Sequence, residues 1–181
     1  MRLLRVLKKH GTYADKILKI AEIISGGDRT VMKEVALCVS NIRRFFAKHS
    51  EQYEARGCDI DHMNPNMLIW IGMTDCLIEN GYAAELDWKC NKTDFITLLS
   101  GIKQFNAFGC EINPVLLYDD DDISSLCAAQ DKVWYTKGLC VGGIDIESDS
   151  YVLFICNTRK LAELTSLAQT IRHRIIHGNE L

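Results

Sequence analysis

Two short acidic motifs carry the residues most able to do chemistry: Glu85-Leu86-Asp87-Trp88-Lys89 and Asp145-Ile146-Glu147-Ser148-Asp149-Ser150-Tyr151. Each sets carboxylates next to an aromatic residue at the end of a strand-like pattern. Carboxylates brought close to one another either hold a divalent cation or raise each other's pKa, and both situations serve catalysis. Glu85, Asp87, Asp145 and Asp149 form one cluster if the two strands are neighbours. A plainer role competes with this one. Asp145 and Asp149 would cap a turn by accepting backbone N–H groups, while Glu85 and Asp87 stand on a solvated strand face. The candidate set for partner or metal binding is therefore Glu85, Asp87, Trp88, Asp145, Asp149 and Tyr151. No residue is assigned a catalytic role, and no cofactor is expected.

Other constellations carry less. Asp119-Asp120-Asp121-Asp122 lacks the alternating ligands, central glycine and twelfth-position glutamate of a calcium loop. Carboxylates favoured at a helix N-terminus explain the run. His173 and His177 stand four apart, the spacing of two ligands on one helical face, but no glutamate follows His173 as in the metalloprotease motif. Cys58, Asp59, Asp61 and His62 are ligand types gathered in a loop without a second cluster. Gly142-Gly143 reads as a strand-internal pair marking a bulge or a close backbone approach. There is no Gly-x-Ser-x-Gly nucleophile elbow.

The elements that must position these residues follow from periodicity and breakers. Tyr13 to Ile24 repeats apolar residues at helical spacing behind Thr12, an N-cap type. Gly26-Gly27-Asp28 ends it, and a second helix capped by Thr30 is expected to run to about Gln52. Residues 57–66 read as a loop. Met67 to Glu79 is an apolar helix closed by Asn80-Gly81. Tyr82 to Trp88 alternates, with Tyr82, Ala84, Leu86 and Trp88 on one face and Ala83, Glu85 and Asp87 on the other; this predicts a buried Trp88. A helix capped by Asn91 or Thr93 reaches about Asn106. Pro114 limits Glu111 to Tyr118 to an edge strand or extended loop. Asp121/Asp122 opens a helix ending near Gly138. Leu139 to Ile146 and Tyr151 to Cys156 form a hairpin about Glu147–Ser150. Thr158 caps a helix to Ala168, and Ile171 to Ile176 is a final strand or a continuation of that helix. The order implies an α/β (α+β) fold: a small mixed, largely antiparallel sheet covered by helices, with an N-terminal helical segment. One domain is expected over 1–181, with N-terminal helices over 1–56 and an α/β core over 67–176.

Composition bounds the rest. Apolar residues make up 48% of the 181-residue chain and charged ones 25%, the balance of a globular domain with a real core. No apolar stretch reaches the ~18 residues of a membrane span, and Met1 to Lys9 interleaves charge with apolar residues, unlike a signal peptide. The eight cysteines are widely spaced and form no Cys-x-x-Cys, so reduced thiols packed as small hydrophobes are expected, in a cytoplasmic protein. Residues 1–50 hold 11 Lys/Arg against 4 Asp/Glu, whereas residues 51–150 hold 6 against 18. Either the basic helices neutralise the acidic portion, or an acidic face meets a basic partner. The basic region lacks a nucleic-acid module or interleaved aromatics, so neither nucleic acid nor membrane is an expected partner.

In order and spacing, Asn80-Gly81-Tyr82-Ala83-Ala84-Glu85-Leu86-Asp87-Trp88-Lys89, the Asp119–Asp122 run before a helix, and Asp145-Ile146-Glu147-Ser148-Asp149-Ser150-Tyr151-Val152-Leu153 before a final helix resemble an uncharacterised bacterial family, the domain of unknown function numbered 6630. Its pattern is a Gly-Tyr-x-x-Glu-Leu-Asp-Trp-Lys element, a helix, an acidic link, a second helix and an Asp-x-x-Ser-Asp-Ser-Tyr hairpin. The resemblance spans about residues 67–175. It implies a fold and brings no activity, substrate or cofactor. Small acidic domains of this kind are similar to immunity proteins that neutralise bacterial toxins, an analogy of shape and charge. The expected function is a non-enzymatic binding module, an immunity or accessory protein whose acidic face meets a basic protein. A metal-dependent enzyme using the clustered carboxylates and a structural or regulatory homo-oligomer are the alternatives.

Overall fold

The computed structural model describes residues 11–181, the side chain of Ala55 excepted. The basic stretch Met1 to Lys9 lies outside the described residues. The architecture is a four-stranded antiparallel sheet with helices on both faces. Helix α1 (Tyr13–Ser25) starts at the expected cap, where Thr12 accepts from Asp15 N–H and Asp15 accepts in return from Thr12 N–H. Helix α2 (Arg29–Ser40) is capped by Asp28, not Thr30; the Asp28 carboxylate accepts from the N–H groups of Thr30 and Val31.

The single long helix expected to reach Gln52 is three helices. Asn41 adopts an extended backbone at φ −152° and its side chain caps α3 (Ile42–Lys48), which α4 (Ser50–Ala55) follows. An asparagine able to bond its own downstream N–H breaks the chain where periodicity alone would continue it. Helix α5 (Pro65–Glu79) ends at Asn80 as expected. After strand β1 (Ala84–Asp87), α6 (Lys92–Gly101) is capped by Asn91, and α7 (Lys103–Ala107) follows a break at Ile102. Pro114 opens a short 3-10 turn, Pro114–Leu116, within an otherwise extended loop, so no strand forms there. Helix α8 (Ile123–Trp134) is capped by Asp122. Strands β2 (Leu139–Ile144) and β3 (Ser150–Asn157) form the hairpin. Helix α9 (Thr158–Thr170) is capped by Asn157 instead of Thr158, and the last strand, β4, is only Ile175–His177.

The strand order is β1-β3-β2-β4, and every pairing is antiparallel. Alternation on β3 sends Val152, Phe154 and Cys156 to one face and Leu153 and Ile155 to the other. The first face packs against α1 and α9, and α2, α3 and α5 join the same core behind them through Val35, Phe45, Phe46 and Trp70. The second packs against α6 and α8 through Phe95, Leu99, Leu126 and Trp134. Both faces of the hairpin are therefore dry.

The glycine pair is a close approach and not a bulge, because the β2–β3 register runs unbroken through Gly142↔Phe154 and Gly143↔Leu153. A Cβ on Gly142 would stand 2.3 Å from Phe154 Cζ, and one on Gly143 would stand 2.6 Å from a Leu181 methyl. Phe154 is fully buried and cannot swing away. Gly142→Ala is expected to lower unfolding free energy by about 1–3 kcal/mol through overpacking, with partial recovery in the Gly142→Ala/Phe154→Leu double variant. Denaturant unfolding of the three chains checks this; a silent Gly142→Ala would mean that the ring does not sit over the glycine. All eight thiols are free, and only Cys58 and Cys90 are not buried. A thiol reagent should therefore label two sites quickly in the native protein and the other six only on unfolding.

Candidate functional site

The β1–β3 register decides which candidates meet. Glu85 stands opposite Val152, Leu86 opposite Tyr151 and Asp87 opposite Ser150. Residues directly opposite share a face, so Glu85 points toward the first core with Val152, and not toward the hairpin turn.

There Glu85 is held by Arg56. Arg56 Nη1 donates to Glu85 Oε1 at 3.1 Å, and Nη2 donates to Glu85 Oε2 at 2.5 Å and to Asp75 Oδ1 at 2.7 Å. The Asp75 side chain is 3% exposed. Burial pushes its carboxyl up to about 6, while Arg56 pulls in the opposite direction. The buried Tyr53 ring, stacked 4.0 Å from Phe46, faces the same carboxylate. One cation shared between two carboxylates, one of them deeply buried, is a structural ion cluster. It ties α4 to α5 and β1.

Asp145 is similarly occupied. Its Oδ1 accepts from Glu147 N–H at 2.8 Å, which is the expected turn cap, and its Oδ2 accepts from Arg174 Nη1 at 3.1 Å. Its backbone carbonyl accepts from Trp70 Nε1 at 2.7 Å. Ser148 caps the turn as well, by accepting from Ser150 N–H through its hydroxyl. Asp87 accepts from Lys89 N–H at 2.8 Å. The expected four-carboxylate cluster does not form: Glu85 and Asp145 each face a different arginine. Among the described residues, no three or more His, Cys, Asp or Glu side chains converge as a metal-holding set.

Three of the six candidates do meet. Trp88, Asp149 and Tyr151 line one open cleft with Ser148, of about 440 Å³. Ser148 and Tyr151 also line an adjoining cleft with Asp145, Ser150 and Arg174, of about 210 Å³. The expectation of a buried Trp88 is wrong. Strand β1 ends at Asp87, the chain turns, and Trp88 is 58% exposed with Lys89 Nζ 4.8 Å from its ring centroid. Tyr82 likewise precedes the strand; its hydroxyl donates to Asp28 and its ring lies under Lys103. Tyr151 is partly buried against the second core, beside Leu86.

The acidic run stands apart from both clefts, before α8 and near the start of α6. Asp122 caps α8, Asp121 accepts from Tyr118 N–H, and Asp119 lies 3.9 Å from Lys92 at the start of α6. The other ligand-like groups are separate pairs. Asp59 pairs with His62 and Asp61 with Arg43, all on the surface. His173 stacks on Trp70, whereas His177 Nδ1 lies 3.1 Å from Asp131 Oδ2 on α8, so the two histidines serve different environments.

A family model described as a domain of unknown function (DUF6630) matches residues 16–178. The chain belongs to this family. The match covers nearly the whole chain, so helices α1 to α4 are part of the DUF6630 unit and not an extension outside it, as the motifs after residue 67 alone suggest. No curated protein matches the chain, and no solved structure does.

Sequence reasoning misses Asp75 and Arg56, and it weighs His173 only as a ligand paired with His177, not as a ring stacked on Trp70. Asp75 leaves a signal: it is a carboxylate within the apolar run from Met67 to Leu77, where an ionised group needs a partner. Arg56 leaves none, since its partners lie 19 and 29 residues away.

The Asp75 environment has a signed consequence. Its folded-state pKa of about 6 stands above the ordinary 3.8. Between those values the folded chain binds more protons than the unfolded chain, so stability falls as pH rises through that window. Asp131, raised to about 6 mainly by burial, acts in the same direction. Asp75→Asn should flatten the fall in melting temperature between pH 4 and 6 without abolishing it. Arg56→Met should destabilise by about 3 kcal/mol, the low end for orphaning a buried charge, because the arginine is partly exposed. An unaltered pH slope in Asp75→Asn would refute the assignment.

Proposed function

We propose that this DUF6630 protein is a non-enzymatic binding module of the cytoplasm that presents the hairpin end of its sheet to a basic protein partner, in an immunity or accessory role. The observation that carries the proposal is Trp88: a tryptophan 58% exposed, lining a cleft with Tyr151 and Asp149. Large aromatics at a cleft are the side chains that anchor interfaces, through apolar area won at small entropic cost. Carboxylates around such an anchor steer a cationic partner and set its association rate. Asp87 and Asp149 are exposed with no paired cation among the described residues, and Asp119 and Asp120 are exposed in the loop before α8, Asp119 lying 3.9 Å from Lys92. Tyr118, Val115 and Leu116 add exposed apolar surface in the loop before the acidic run. Eight free thiols suit a reducing compartment, and no helix among the described residues is long and apolar enough to cross a membrane.

Trp70 and Trp134 are buried, so collisional quenching of tryptophan emission by iodide reports selectively on Trp88. Titration with arginine-rich model peptides is expected to protect Trp88 from iodide and to shift the amide resonances of Ser148, Asp149 and Tyr151. Trp88→Ala should weaken binding roughly thirtyfold, as a hot-spot residue does. Asp87→Asn/Asp149→Asn should slow association and reduce its salt dependence. Peptide binding indifferent to Trp88→Ala would overturn the proposed anchor, and saturable divalent-cation binding lost in the double variant would return the site to metal chemistry.

A further inference from the structure

A third cleft, which meets the hairpin turn at Glu147, is built differently. It has a volume of about 350 Å³ and is lined by Met63, Asn64, Asn66, Met67, Glu147, Ile171, Arg172 and His173. Glu147 and Arg172 are the two non-glycine residues with positive φ among the described residues, at 57° and 63°. Each bears a cost that ordinary turns avoid by using glycine, and both line this one cleft with opposite charges.

His173 is fixed on two sides. Its ring stacks on Trp70 at 4.4 Å between centroids and 4° between planes. Its Nε2 lies 3.0 Å from the Tyr13 hydroxyl, which itself donates to the Asn66 carbonyl at 2.6 Å. The single hydroxyl proton goes to the carbonyl, which can only accept. Nε2 must therefore carry a hydrogen and donate to the Tyr13 oxygen. That leaves the lone pair on Nδ1, which has no hydrogen-bond partner among the described residues. Burial holds the imidazole below its ordinary pKa, with Glu147 and Asp145 opposing. The cleft lined by this neutral ring also offers one cation, one anion and an apolar wall of two thioethers and Ile171.

We propose that this cleft binds a free α-amino acid with an apolar side chain. Arg172 takes the carboxylate as a planar two-pronged donor. Glu147 and His173 Nδ1 accept from the ammonium group, and Met63, Met67 and Ile171 enclose the side chain, methionine adapting to varied shapes. An inorganic anion or a dicarboxylate would leave its second charge facing Glu147. A simple amine would leave Arg172 without a counter-charge. The zwitterion satisfies both ends.

The test is calorimetric titration of the full chain with L-leucine, with the His173 ring nitrogens followed by NMR. Saturable binding is expected, together with a shift of the Nδ1 resonance as it accepts a hydrogen bond. Glu147→Gln and Arg172→Asn should each weaken binding about tenfold or more; asparagine tolerates the left-handed backbone, so the fold survives. Leucinamide, lacking the carboxylate, and 4-methylpentanoate, lacking the ammonium, should bind much more weakly than leucine. Failure of leucine to bind at millimolar concentration would overturn the proposal, as would equal binding of either analogue or insensitivity to both variants. The peptide experiments at Trp88 use neither these residues nor these ligands, so the two sites succeed or fail separately.

Discussion

Strand β3 is apolar on both faces, and most of the structure follows from having to cover it. Five successive residues, Val152 to Cys156, are buried. A strand with no polar face cannot border solvent on either side. It therefore sits inside the sheet, between β1 and β2, with one layer of helices above and another below. The close pairing of β2 against it is possible only because Gly142 leaves room for the Phe154 ring. Each layer then acquires its own aromatic anchor, Trp70 on one side and Trp134 on the other, and each indole N–H donates to a backbone carbonyl.

The same constraint sorts the charges. Where a strand faces a helical layer, a carboxylate survives only with a cation beside it, and Glu85 and Asp75 share Arg56 for that reason. Where the sheet runs out, at the ends of β1 and of the hairpin, carboxylates and aromatics are left to solvent. Trp88 and Asp149 belong to that rim. Acidic residues that are adjacent in sequence thus take opposite fates: Glu85 becomes part of an internal ion cluster, and Asp87, two residues on, is exposed. The hairpin turn separates two clefts of different character. One is open, acidic and aromatic; the other is walled by methionines, carries both signs of charge and contains a histidine of fixed tautomer. Trp70 links them mechanically, since it stacks on His173 and donates to the Asp145 carbonyl at the base of the turn.

By itself the sequence determined what depends on neighbours along the chain. Helix starts at Thr12, at Asn91 or Thr93 and at Asp121/Asp122, the helix end at Asn80-Gly81, the β2–β3 hairpin and the class of fold are all legible, because caps, turns and apolar periodicity act over a few residues. Errors arose where a local competitor was hidden: Asn41 capping a new helix inside an apolar stripe, or a turn ending β1 one residue before Trp88. The tertiary structure alone decided which charges meet. Glu85 and Asp145 look equivalent in their motifs, yet register turns one toward Arg56, and the approach of β4 brings Arg174 to the other. His173 depends on Tyr13 and Trp70, whose distance along the chain leaves no pattern to read. Alternation fixes which residues share a face, but pairing across 50 to 160 positions is set by how two apolar faces find cover, and that is a property of the whole packed chain.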